Sequence, residues 1–325
     1  MKKMHGLFFV VSLFLTGMAF ANSLEKADAL FDKGRYKEAL QLYLSPALKD
    51  KPHAQVRIGW IYLKAPGLMD EKKAFLWFQK AAEQGSEKGQ YNLATSYKDG
   101  AGTAQDYAQA MKWYKKAADQ DMAAALNAIG VMHDEGRGVK ADPAEAARWY
   151  ARAAEKGSVA GMCNLAVMSV HAQGIKRDYA GAKALLDQCL AADPDRTCCL
   201  NAMADLYAFG RGVPRDRRKS VELSEHAARL GSARAMYNLA ITYDYGLGGL
   251  KDNKAAMDWY LKAAQEDHAQ ALHRLYEIYQ YGKLGQPVDK TKAAEWKTKA
   301  EAAMKKQGLS RNALLDKFRL TMEDQ

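Results

Sequence analysis

Apolar and small residues recur along this chain at i, i+3, i+4 and i+7, the spacing that lays a stripe along one face of an α-helix. Tyr91, Leu93, Ala94 and Tyr97 form one such stripe, and Ala110, Trp113, Tyr114 and Ala117 form the next. The paired pattern then repeats: Trp77, Trp113, Trp149, Leu185, Leu223, Trp259 and Trp296 follow one another at intervals of 36, 36, 36, 38, 36 and 37 residues. Self-similarity at that period predicts stacked helix pairs, none of which can bury its apolar face alone. Glycines separate the two helices of a pair, as in Gly136-Arg137-Gly138-Val139, because Gly ends a helix by accepting the left-handed conformation. Asp142 then fits as an N-cap, Pro143 as the first helical residue and Glu145 as the reciprocal capping partner. Recurrent alanines such as Ala81, Ala82, Ala117, Ala118, Ala153, Ala154, Ala263 and Ala264 let helices approach closely. The Trp of each unit supplies a large apolar area for burial.

The most complete copy reads Tyr91-Asn92-Leu93-Ala94, Tyr97, Gly100-Ala101-Gly102, Asp106 and Ala110-Met111-Lys112-Trp113-Tyr114-Lys115-Lys116-Ala117-Ala118. Further copies carry Gly210-Arg211-Gly212-Val213 and Gly246-Leu247-Gly248. This pattern resembles the Sel1-like repeat family, a relative of the tetratricopeptide repeats. The resemblance implies an all-α fold, an α-solenoid wound as a right-handed superhelix, with a concave face that binds other proteins. Seven units are expected, over 54–85, 86–121, 122–157, 158–196, 197–231, 232–267 and 268–302. A tetratricopeptide-like hairpin over 22–53 and a helix over 303–325, opened by Ser310, are expected to cap the two ends. The fourth unit lacks a Gly-x-Gly pair and has Leu185-Leu186 where Trp-Tyr stands elsewhere, and the fifth has Leu223-Ser224 there. The centre of the array is therefore its least regular part.

Residues 1–21 have the layout of a secretory signal peptide: Lys2 and Lys3, the apolar stretch Leu7–Phe20, and Ala19-Phe20-Ala21 as a cleavage site. The expected location is periplasmic or secreted. No other run approaches the roughly 18 apolar residues of a spanning helix. The net charge of +10 becomes +8 when Lys2 and Lys3 leave with the leader. That excess favours anionic partners, among them acidic protein surfaces, envelope glycans and lipid headgroups. It is not concentrated enough to point to nucleic acid. The densest cluster is Arg211, Arg215, Arg217, Arg218 and Lys219.

Four cysteines, Cys163, Cys189, Cys198 and Cys199, all fall in the fourth and fifth units, and an exported chain can keep them as disulfides. A vicinal Cys198–Cys199 bond is awkward, which leaves 189–198 with 163–199, or 189–199 with 163–198. Cysteine-rich members of the Sel1-like family carry bridges in similar places; Cys199 matches one of those positions and Cys189 stands one residue from the other. A zinc site would call for Cys-x2-Cys spacing, which the vicinal pair lacks.

Catalytic constellations are weak. Ser23-Leu24-Glu25-Lys26 spells Ser-x-x-Lys beside the cleavage site, with no Lys-Thr-Gly element to accompany it. His53, His133, His171, His226, His268 and His273 are scattered over different units. No cofactor or metal is expected, and the chain reads as a non-enzymatic interaction scaffold. Its candidate groove residues are Gln90, Asp134, Glu135, Asp205, Asp244 and Glu277, together with Asn92, Asn127, Asn164, Asn201 and Asn238, taken as one asparagine per unit at a common slot. Such asparagines either clamp a peptide backbone or bond between helices. The competing reading is a cell-wall glycan or muropeptide ligand, or the β-lactamase activity ascribed to cysteine-rich relatives.

Overall fold

The computed structural model describes residues 22–307. The expected leader (1–21) and residues 308–325 of the expected terminal cap lie outside the described residues. Backbone packing divides the chain into two compact bodies, Met1–Gly161 and Met162–Gln325. Each is a stack of antiparallel helix pairs, and no strand occurs among the described residues.

In the first body, α1 (22–32) and α2 (Tyr36–Tyr43) form a short hairpin. Three pairs follow: α3 (Pro52–Lys64) with α4 (Glu71–Glu83), α5 (Glu87–Asp99) with α6 (Tyr107–Ala118), and α7 (Ala123–Glu135) with α8 (Pro143–Glu155). The boundary between the bodies falls inside α9 (Val159–His171), which precedes α10 (Tyr179–Ala192). The second body continues with α11 (Thr197–Phe209) and α12 (Arg217–Arg229), α13 (Ala233–Tyr245) and α14 (Asn253–Gln265), and α15 (Ala269–Tyr281) and α16 (Lys290–Gln307). Residues 303–307 are the end of α16.

Every second helix starts at an aspartate that bonds in two directions. The carboxylates of Asp70, Asp106, Asp142, Asp178, Asp216, Asp252 and Asp289 each accept a backbone N–H from the helix that follows. Their own N–H groups donate back to the preceding first helix, at Tyr62, Tyr97, His133, Ser169, Tyr207, Tyr243 and Tyr279 respectively, over 2.8–3.1 Å. This corrects the expected reciprocal cap at Glu145. The Asp142 N–H is already taken by the His133 carbonyl, and Glu145 instead accepts from Arg148 Nη1 at 2.7 Å.

The two glycines of the loop do different work. Gly100 ends α5 in the left-handed conformation (φ 73°), where its N–H donates to Ser96. Gly102 is also left-handed (φ 75°), and a Cβ on it would lie 2.1 Å from the Glu71 carbonyl oxygen. The loop of one repeat is therefore pressed against the start of the preceding repeat's second helix, and only a residue without a side chain fits.

The core is built from alanines and, in four of the repeats, from the aromatic residue that follows the Trp. Phe78, Tyr114, Tyr150 and Tyr260 are buried, whereas Trp77, Trp113, Trp149, Trp259 and Trp296 are only half-buried against their clusters. The free face of each Trp is covered three residues on by a cation: Lys80 at 4.3 Å, Lys116 at 3.9 Å, Arg152 at 4.5 Å, Lys262 at 4.0 Å and Lys299 at 4.5 Å from the ring centroid. Where Leu185 and Leu223 replace Trp, the residue three further on is Gln188 and His226. The cation follows the indole because only an aromatic face offers the quadrupole that attracts it, for about 0.5–1 kcal/mol at an exposed site.

Gly102→Ala is expected to lower stability by about 2–4 kcal/mol, combining left-handed strain with a backbone clash. Gly85→Ala, where φ is 85° and nothing lies within 4 Å of a new Cβ, is expected to cost only the strain, about 1–2 kcal/mol. Urea melts of the two variants check this; equal losses would remove the packing role of Gly102.

Candidate binding face

Helix bounds set the register of the candidate residues. Asn92, Asn164 and Asn238 are each the sixth residue of a first helix, but Asn127 and Asn201 are the fifth. One residue is about 100° around the helix, so the five asparagines do not share one slot. Asn201 is buried and its Nδ2 donates to the Ser232 hydroxyl at 2.9 Å, a bond between successive repeats. Asn92 is buried as well, Asn127 and Asn164 are half-buried, and Asn238 Nδ2 reaches Asp205 Oδ1 at 3.5 Å.

Gln90 is buried and accepts from Gln120 Nε2 at 2.8 Å, a pairing that Gln55 and Gln84 repeat one unit earlier, also at 2.8 Å. Each amide pair bonds the start of a first helix to the residues just past the second helix of the same repeat. Asp134 and Glu135 are exposed at the end of α7, where Glu135 pairs with Arg137 at 2.8 Å.

The second body brings Asp205, Asp244 and Glu277 into two polar clusters on its first helices. Asp205, on α11, accepts from Arg234 Nη2 of α13 at 2.6 Å, and its side chain keeps 21% of its surface exposed. Burial raises the Asp205 carboxyl above its ordinary value, while Arg234, His171 and Arg211 pull the other way. Burial depresses the His171 imidazole, and Arg234, Arg211 and Arg177 add to that effect while Asp205 opposes it. The result is a partly open face where a carboxylate, an imidazole and several guanidinium groups meet.

Asp244 and Arg274 are enclosed. Asp244 Oδ2 accepts from Arg274 Nε at 3.1 Å, Arg274 Nη2 at 2.8 Å and the Tyr260 hydroxyl at 2.9 Å, and Arg274 Nη1 donates to Glu277 Oε2 at 2.7 Å. The pair ties α13 to α15. Breaking such a buried pair from one side leaves an uncompensated charge and costs about 3–5 kcal/mol.

In the first body, Asp28 holds the same kind of position. It accepts from the Tyr43 hydroxyl at 2.6 Å, lies 2.8 Å from His53 Nε2, and pairs with Arg57 at 3.3 Å. Burial pushes its carboxyl upward, but the bonds from Tyr43 and His53 and the nearby cations hold it below the ordinary value. Beside this cluster is a cavity of about 530 Å³ between the N-terminal halves of α3 and α5, lined by His53, Arg57 and Trp60 on one side and by Gln84, Ser86 and Lys88 on the other. None of these residues was among the sequence-predicted groove positions. The available signal was Trp60, the one tryptophan outside the recurring register. Its ring meets Phe78 edge-on at 6.1 Å, and Lys64 lies 4.4 Å from its centroid.

The cysteines form two disulfides, Cys163–Cys198 and Cys189–Cys199, with Cα separations of 6.3 and 6.5 Å. This is the second of the two pairings left open by the sequence. The bridges tie the first turn of α11 to α9 and to α10 at once. Cys163, Cys198 and Cys199 bring their sulfurs within 4.8 Å of one another, but as disulfide sulfurs they are not thiolate ligands.

The family model described as Sel1 repeat matches residues 52–86, 88–122, 123–158, 159–188, 199–232, 233–268 and 269–303. Among solved structures, a Sel1 repeat protein from Oxalobacter formigenes is 30% identical with a TM-score of 0.65, covering 74% of this chain and 98% of its own. A protective antigen of uropathogenic Escherichia coli strains, displaying an SLR fold, is 29% identical with a TM-score of 0.45 over 78% of this chain and 62% of its own. A human IFIT1 dimer with PPP-AAAA shares the fold at 16% identity and a TM-score of 0.54, over 90% of this chain and 70% of its own. No curated protein sequence matches the chain.

Peptide mapping without reductant is expected to return one cluster of three peptides joined through Cys198-Cys199, which partial reduction resolves into the links 163–198 and 189–199. Replacing either pair by serine should cost roughly 2–4 kcal/mol of stability in a denaturant melt; a map with the partners exchanged contradicts the assignment. By NMR, His171 is expected to titrate below its ordinary value of 6.5. A histidine depressed in the folded state adds stability above its unfolded pKa and loses it as pH falls below that value. His171→Gln should therefore flatten the stability profile just below pH 6.5, and a His171 titration at or above that value would reverse the argument.

Proposed function

The chain belongs to the Sel1 repeat family, and from that premise we propose that it is an exported, non-enzymatic scaffold that holds peptide or protein partners of the bacterial envelope on the outward face of its first helices. Sel1 repeats are typical protein–protein interaction scaffolds, and proteins built from them are generally not enzymes.

The observation that carries the reading is a contrast between inside and outside. Core positions keep their chemistry from repeat to repeat, as in the seven capping aspartates and the buried aromatic after Trp77, Trp113, Trp149 and Trp259. Where it is exposed, the second residue of a first helix instead runs His53, Lys88, Ala124 and Arg234. Changing the exposed residues on a constant frame is how a repeat array makes a surface specific. The cavity beside Trp60 and the cluster at Asp205 are its two most structured places. The apolar leader of residues 7–20 and the two disulfides support export to an oxidising compartment.

Crosslinking of the tagged mature chain in the periplasm, followed by mass spectrometry, tests this. One or two stoichiometric envelope proteins are expected. Their recovery should fall at least about tenfold in a His53→Ala/Lys88→Glu variant or in Arg234→Glu if those places are hot spots. Enrichment of muropeptide without protein, or hydrolysis of a chromogenic β-lactam by the purified chain, would replace the scaffold with the cell-wall reading.

A further inference from the structure

The positive charge of this protein is not spread evenly over its helices. The seven second helices carry 21 Lys and Arg against ten Asp and Glu. The seven first helices carry six against seven. The excess therefore belongs to one class of helix in both bodies, and it is not the class that bears the binding face described above. Of the 21 cations all but Lys183 and Arg217 are exposed. Some are engaged locally, such as Lys73 with Asp70 and Arg148 with Glu145. Lys72, Lys112, Lys115, Arg218, Arg229 and Lys254 have no carboxylate within ion-pair distance among the described residues.

We infer that each body docks through its own second helices on an anionic phospholipid bilayer, leaving its first helices free for their partner. Three observations select a bilayer over an acidic protein. Sixteen of the 21 cations are Lys. Protein interfaces enrich Arg and deplete Lys, whereas hydrated point charges suit undirected attraction to a charged surface. The cations are also shared out over successive second helices, three on α4, three on α6 and two on α8 in the first body, instead of forming one compact footprint. Finally, half-buried indoles roofed by Lys or Arg stand on five of these helices, joined by Leu76 at 53% exposure on α4. Amphipathic rings with charged tips are the side chains that settle at headgroup depth. The inference does not depend on what the first helices bind.

The test uses the full mature chain and co-sedimentation with phosphatidylcholine vesicles, with and without about 30 mol % phosphatidylglycerol, at about 0.15 M salt. Binding is expected only to the anionic vesicles, weakening as salt rises. Lys72→Glu/Lys112→Glu/Lys115→Glu in the first body, and Arg218→Glu/Arg229→Glu/Lys254→Glu in the second, should each weaken it at least about tenfold. These side chains lie off the Trp faces, and circular dichroism verifies that the variants fold. A Lys26→Glu/Lys33→Glu/Lys49→Glu control makes the same charge change at exposed positions away from the second helices and should bind as the parent does. No binding to anionic vesicles overturns the inference. So does equal loss in the control, which would reduce the effect to total charge. Binding to soluble poly-glutamate but not to vesicles also overturns it, in favour of an acidic protein partner.

Discussion

The aspartate at the head of each second helix is the constraint on which the rest of the architecture depends. Its carboxylate closes the open N–H groups of one helix, while its N–H takes a carbonyl of the other. Each bond is worth only about 1 kcal/mol net. Their value is geometric, since together they fix where the second helix starts relative to the end of the first. With that angle set, Phe78, Tyr114, Tyr150 and Tyr260 fall into the core and Gly102 meets the preceding unit. Outside those glycines the loop between can then vary without disturbing the pair.

The centre of the array shows what happens when one of the usual contributions lapses. Leu185 and Leu223 remove the indole, and with it the cation that would have covered it, so two repeats lose the same small unit of surface packing. The two disulfides sit in these repeats. A covalent tie that restricts the unfolded chain there offsets a folded state with fewer contacts, and stability is shifted from packing to topology.

Much of this was legible in the sequence because it is local. A Trp every 36 residues, an Asp before an alanine-rich helix and a Gly after the previous one are each set by nearest neighbours. What was not legible depends on helix starts or on distant residues. Asn127 and Asn201 look equivalent to Asn92 by residue type, yet a one-residue offset turns them through about 100°. Gln90 resembles a groove residue until Gln120, thirty positions on, is seen to bond with it. Glu145 spells a capping box, but the backbone of His133 had already taken the N–H it would have met. The segregation of charge is present in the composition, but it is visible only once each Lys and Arg is assigned to a first or a second helix.

Cys198 and Cys199 are neighbours in the chain, yet their bridges run to two different helices, α9 and α10. A stack held by nearest-neighbour contacts comes apart from its ends, one unit at a time. A front of fraying that enters the second body from the Gln307 side can release α16 back through α12 by breaking non-covalent contacts alone, the buried Asp244–Arg274 pair among them. At α11 it meets sulfur–sulfur bonds to both helices of the unit beyond. The bridged segment is thus a ratchet stop, and whatever unravels on one side of it re-forms on a template that has stayed in place.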